Sequence, residues 1–225
     1  MFEELVSEIR RFVMRGVEEG LIDVRDYQEF PRWERRKDVI LRGELAYEFG
    51  KQNSILLLTW GKAENRIYLP TNNGKDRLAV IVISDAEIED VYECFRAMRD
   101  TFYSLNLRGV TIRSLPSQMR VWLRVGRGAD REGFNLGVFG RAIIESMNSL
   151  DFVRATDVVF FTSREEIEKL KEQFSKGKKI VEALIKMHEE KLLNCEECDY
   201  SDVCSEIPEL RRIRERMRLK ERDKR

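Results

Sequence analysis

The run LAVIVIS, residues 78–84, is apolar at every position but the last and reads as a strand. Beyond it, Ile88, Val91, Tyr92, Phe95, Met98, Phe102 and Leu105 recur at helical spacing across Glu87–Leu107. Val110–Ser114 and Met119–Val125 are strand segments on either side of a Leu115-Pro116-Ser117 turn. A second helix spans about 131–150, and Asp157–Thr162 reads as one more strand.

This order, β-α-β-β-α-β, makes the chain α+β with a ferredoxin-like core. Upstream, Phe2, Leu5, Val6, Ile9, Phe12, Val13 and Val17 predict an N-terminal helix ending at Gly20. Leu21–Lys37 is charged and irregular, so it reads as a surface connection. Asp38–Arg42 is strand-like, and Ser54–Trp60 with Arg66–Leu69 predicts a hairpin joined by Gly61–Asn65. Downstream, Ser163-x-x-Glu166 predicts a capping box that opens a long helix to about Leu193. A cysteine loop and a basic C-terminal helix from Pro208 follow. The expected division is 1–37 for the N-terminal helix and connection, 38–192 for the α+β domain, and 193–225 for the cysteine segment and tail.

The chain has 225 residues, enough for one sizeable core. Its 41 basic and 41 acidic side chains cancel, which excludes a wholly basic nucleic-acid coat. The apolar runs Ile55–Trp60 and Leu78–Ile83 are far short of the roughly 20 residues that cross a bilayer, so no membrane partner is expected. The N-terminus is acidic where a secretory signal is basic, so the expected compartment is the cytoplasm, where a disulfide framework is disfavoured.

Cys195-Glu-Glu-Cys198-Asp-Tyr-Ser-Asp-Val-Cys204 carries the strongest chemical signal. Two thiols two residues apart can meet one ion from a tight turn, and a third nearby closes most of a tetrahedron. Thiolates suit zinc or an iron–sulfur cluster equally well. The fourth ligand is open between His188, Asp199, Asp202, a thiol of another subunit in a homodimer, and a small molecule. His188, the one histidine, sits among Glu182, Lys186, Glu189 and Glu190 and also reads as a solvated helix residue. Cys94, between Tyr92 and Phe95, reads as a small core residue.

In Met119–Val125, Arg120, Trp122 and Arg124 alternate with apolar residues. Two guanidinium groups around an indole could hold a phosphate ligand such as CoA and stack a base, or form an outer face covered by a helix. Gly126, Gly128, Gly133, Gly137 and Gly140 do not complete a dinucleotide fingerprint and read as a turn and close-packing positions. From Pro208 onward, nine Lys/Arg face four Asp/Glu, the pattern of a solvated terminal helix.

From Arg120-Val-Trp-Leu-Arg-Val-Gly126 and Glu132-Gly-Phe-Asn-Leu-Gly-Val-Phe-Gly140 the chain resembles acetyl-CoA synthase, the beta subunit of the archaeal acetyl-CoA decarbonylase/synthase complex. The likeness continues through Val158-Val-Phe-Phe-Thr162, Cys195, Cys198, Val203-Cys204 and Pro208-Glu209, with a looser echo in Gly43–Trp60. The resemblance implies a middle domain followed by the start of the catalytic domain, with Cys195, Cys198 and Cys204 matching the first three ligands of a 4Fe–4S cluster. The spacing between the second and third cysteine is shorter than in the family. A fourth cysteine is missing from Arg211–Arg216, and no Cys-Gly-Cys chelate for nickel follows.

A truncated, degenerate relative is therefore expected: an accessory protein of one-carbon and acetyl-CoA metabolism, without acetyl-CoA synthase activity of its own and without nickel. The cofactor would be an iron–sulfur cluster or zinc. By resemblance, its partner would be a CO dehydrogenase or a corrinoid-type protein. Two other readings stand beside this one. The first is a catalytic subunit whose open-site cluster acts on CoA esters with a partner. The second, ranked last on net charge, is a single-stranded nucleic-acid-binding module.

Overall fold

The computed structural model describes residues 1–34, 46–50, 54–72, 74, 77–115, 120–189 and 200–222. Helix α1 (Glu3–Glu18) leads into β1 (Ile22–Asp26), a 3-10 turn at Tyr27–Glu29, and β2 (Ala46–Phe49). Next come β3 (Ile55–Trp60), β4 (Arg66–Pro70), β5 (Ala79–Ala86), α2 (Val91–Tyr103), β6 (Val110–Leu115) and β7 (Arg120–Gly126). The chain continues through α3 (Arg127–Arg131), α4 (Leu136–Met147), β8 (Val153–Phe161), α5 (Arg164–Lys169), α6 (Lys171–Glu189), α7 (Ser201–Glu206) and α8 (Pro208–Arg222). No helix among the described residues is long and apolar enough to cross a membrane.

The fold is α+β, and the eight strands among the described residues form one mixed sheet ordered β1-β4-β8-β5-β3-β7-β2, with β6 on the other edge of β7. The elements β5-α2-β6-β7-α4-β8 follow the expected chain order. However, β3 lies between β5 and β7, parallel to the first and antiparallel to the second. The LAVIVIS run explains this central place, because residues 78–83 are all buried and both faces of the strand need cover. Helices α2 and α4 cover one face through the Phe102–Phe139 and Phe139–Phe160 ring contacts. Helices α1 and α6 cover the other, with Phe12 on Phe161 and Gly177 of α6 set against Leu57 and Leu5. The result is three layers around one core.

The expected hairpin of Ser54–Trp60 with Arg66–Leu69 does not form. β3 pairs with β5 and β7, whereas β4 pairs with β1 and β8, so the short 61–65 connection crosses two strands. Side chains hold it across that span. Asp157 of β8, 1% exposed, accepts the Glu64 and Arg66 amides on one oxygen, each at 2.9 Å. Its other oxygen takes Arg10 of α1 at 2.9 Å, and Arg10 also donates to the Lys62 carbonyl. Asn65, left-handed at φ 60, accepts the Thr156 amide at 2.9 Å and the Asn148 side-chain amide at 2.8 Å. Local spacing favoured a hairpin, but these long-range bonds and the burial of β5 and β8 outweigh it.

Two other expectations change. Part of the connection expected over Leu21–Lys37 is the edge strand β1, whose alternation of Ile22 and Val24 with Asp23 and Arg25 suits a half-exposed strand beside β4. The single long helix after Ser163 is two helices that break at Leu170. Only half of the capping box forms: the Glu166 carboxylate accepts the Ser163 amide, while the Ser163 hydroxyl caps nothing. The strand-like segment Asp38–Arg42, the centre of the Leu115-Pro116-Ser117 turn and the end of the helix toward Leu193 lie outside the described residues.

Asp157→Ala removes the acceptor of two amides, each worth about 1–3 kcal/mol when buried unpaired, so a loss of about 3 kcal/mol is expected in urea unfolding. Asp157→Asn keeps the oxygen that serves both amides and is expected to lose roughly half as much. Equal losses in the two variants would contradict this account.

Candidate functional site

Three places were singled out by sequence or by geometry. The first is the cysteine corner. Cys195, Cys198 and Asp199 lie outside the described residues. Cys204 is in α7, 5% exposed, and packs into the core beside Val203, Ile207 and Leu210. Its amide donates to the Tyr200 carbonyl at 3.0 Å. Two cations of α6 hold α7 in place: Lys179 pairs with Asp202 at 3.3 Å, and the Lys186 ammonium lies 5.7 Å from the Tyr200 ring centre. The Val203 amide and then Lys179 hold the Asp202 carboxyl below its ordinary range.

His188 lies elsewhere on α6, roughly 200° round from Lys186 at 3.6 residues per turn. It is exposed, and its ring stacks flat on Tyr92 of α2 at 3.6 Å and 6°. The structure therefore joins Cys204 to Tyr200, Asp202 and the lysines, and it places His188 toward α2. Cys94, also on α2, is half-buried, and burial pushes its thiol up. Among the described residues no group of three or more His, Cys, Asp or Glu is placed to hold a metal.

The second place is the outward face of β7. Arg120 is exposed and Trp122 and Arg124 are half-buried, while Val121, Leu123 and Val125 on the other face are core. Strand register sets Glu48 of β2 and Thr111 of β6 beside Arg124. The Ile55–Arg120 pair marks this as the side that α6 covers farther in, through Leu57. A helix covers β3, and the arginine–tryptophan ladder of β7 continues beyond it.

The third place was not found by sequence reading. On the inner side of β7 is a cleft of about 420 Å³ between β2, the end of β4 and the start of α4. Phe49, Leu69, Leu123, Val125 and Phe134 give it apolar walls, and Arg25, Tyr47, Asn72, Asp130 and Asn135 give it polar edges. It exists because β7 meets β3 only at Ile55–Arg120 and then runs beside β2, so the sheet opens. Gly137 is required at its wall: an added Cβ would lie 2.1 Å from Phe30 Cε1. The reading of Gly137 and Gly140 as close-packing positions holds, since Gly140 presses likewise on Ile67 and Phe160.

At one end of the cleft the Tyr47 hydroxyl donates to Asp130 of α3 at 3.0 Å. Burial first, and Asp130 second, push the Tyr47 phenol up to about 12. Asn72 accepts the Thr162 hydroxyl at 2.7 Å, and Asn135 caps α4 by accepting the Val138 amide at 3.0 Å. These residues come from five separate segments, so no local motif could have announced them.

No protein-family model matches the chain, and no curated protein matches it.

A phenol raised in the folded state favours folding while it is protonated, so this contribution is present below pH 10 and lost as pH rises toward about 12. In an ultraviolet titration of the six tyrosines, Tyr47→Phe is expected to remove a component that ionises near pH 12. An unchanged alkaline limb in that variant would contradict the Tyr47–Asp130 geometry.

Proposed function

We propose that this chain is an acetyl-CoA-synthase-like accessory protein that binds zinc or an iron–sulfur cluster through Cys195, Cys198 and Cys204. The observation that carries the reading is the Cys-x2-Cys-x5-Cys spacing at residues 195–204, with its third thiol in a short helix tied to α6. Anchoring one ligand in a fixed helix while two sit in the preceding ten residues limits the entropy lost on closing around an ion. The fold reading that goes with it is a ferredoxin-like core with β3 inserted between its first and third strands. On this reading the chain lacks acetyl-CoA synthase turnover of its own and serves a CO dehydrogenase or corrinoid-type partner in the cytoplasm.

The Arg120–Trp122–Arg124 face is the proposed contact for CoA. Its support is the two guanidinium groups spaced around an indole on an outward strand face.

Protein purified without oxygen is expected to carry either iron with near-equal acid-labile sulfide or zinc without sulfide. Cys195→Ser, Cys198→Ser and Cys204→Ser should each lower the metal content about tenfold or more. Metal-free wild-type protein, or metal content unchanged in all three variants, would sink the proposal.

A further inference from the structure

We propose that the inner cleft beside β7 binds a small monocarboxylic acid with an apolar, aromatic-sized body. The inference rests on the cleft alone and is independent of the cysteines. At about 420 Å³ the cleft lies within the range of small-molecule sites, about 300–1,000 Å³. At roughly 30 Å³ per water-sized group, that space takes a ligand of about a dozen non-hydrogen atoms. Phe49, Leu123, Val125 and Phe134 offer such a body an apolar wall built from the core faces of β2 and β7 and the loop before α4.

The polar end selects the head group. Arg25 and Leu69 stand on the same face of β1 and β4, because Arg25 pairs with Ile67 and Asp23 with Leu69. Asp23 engages the Arg25 Nε at 2.7 Å, and among the described residues the two terminal nitrogens have no recorded partner. The guanidinium also lies 6.0 Å from the centre of the Phe30 ring, which presses on Gly137. Arg25 is therefore held at the mouth of the cleft by Asp23 and Phe30, and its guanidinium is one of the groups that line it. The Asn72 carboxamide is already oriented through its oxygen by Thr162, so its amino group is a further donor at the same rim. Paired donors on a planar cation match a carboxylate, and the apolar wall beyond them disfavours a highly charged phosphate.

The test is an amide-resolved NMR titration of the whole chain with 4-phenylbutanoate and with its neutral amide, 4-phenylbutanamide. The acid is expected to shift the Leu123, Val125 and Gly137 amides with a Kd of about 0.1–1 mM, a scale set by ligand size. The neutral amide, and the acid against Arg25→Gln, should each bind about tenfold more weakly. Leu69→Trp should fill the rim and abolish binding. Arg25→Gln alters a side chain 50% exposed, so it keeps the test decisive if Leu69→Trp does not fold. Cys204→Ser should leave binding unchanged, which separates this inference from the metal site. No shifts at the cleft in wild type, equal affinity for acid and amide, or full affinity in Arg25→Gln would each overturn it.

Discussion

A carboxylate with 1% exposure organises this fold. Asp157 lies on β8 between the two helical layers, and burying its charge is costly unless every lone pair is used. Three hydrogen bonds offset that cost: two amides of the β3–β4 connection take one oxygen, and Arg10 takes the other. These bonds tie α1 to the sheet and hold a five-residue crossing over β5 and β8. Without that crossing β4 could not reach β8, and β1 would have no neighbour to pair with. Replacing the pair with apolar groups need not cost stability in general. Here the amides would still need an acceptor.

The crossing also explains the opening of the sheet. With β3 beside β5, β7 is left to meet β3 at one register pair and to find its remaining neighbours in β2 and β6. One strand therefore serves two surfaces. Its outward residues form the arginine–tryptophan ladder, and its inward residues wall the cleft. A two-layer version of the same elements would leave β3 and β5 bare on the side where α1 and α6 now lie.

What the sequence disclosed follows the range of the forces involved. Residues 78–84, the periodic helices and the cysteine spacing are short-range patterns, and each was legible. The Asp90 and Asn135 caps that start α2 and α4 are local too, and they set the two helix starts a few residues later than expected. The hairpin reading failed because Gly61–Asn65 has the length of a turn, while the partner that settles its path, Asp157, lies about ninety residues away. Strand β1 was hidden because an edge strand carries charges as readily as a loop does. The cleft was illegible for the same reason as the crossing: Arg25, Tyr47, Asn72, Leu123 and Gly137 share a wall only after the sheet has formed.

On the proposed reading, the cysteine corner joins this architecture to chemistry. Helix α6 is packed on β3 through Gly177, and Lys179 and Lys186 carry α7 and Cys204 along its flank. A buried thiol in that position can be packing or a ligand. The most direct discrimination is an anomalous-difference map at the iron and zinc edges, from crystals grown without oxygen. The account predicts a peak about 2.3 Å from the Cys204 sulfur, the length of a metal–thiolate bond. A map with no metal at that sulfur, and carbon atoms alone around it, would contradict it.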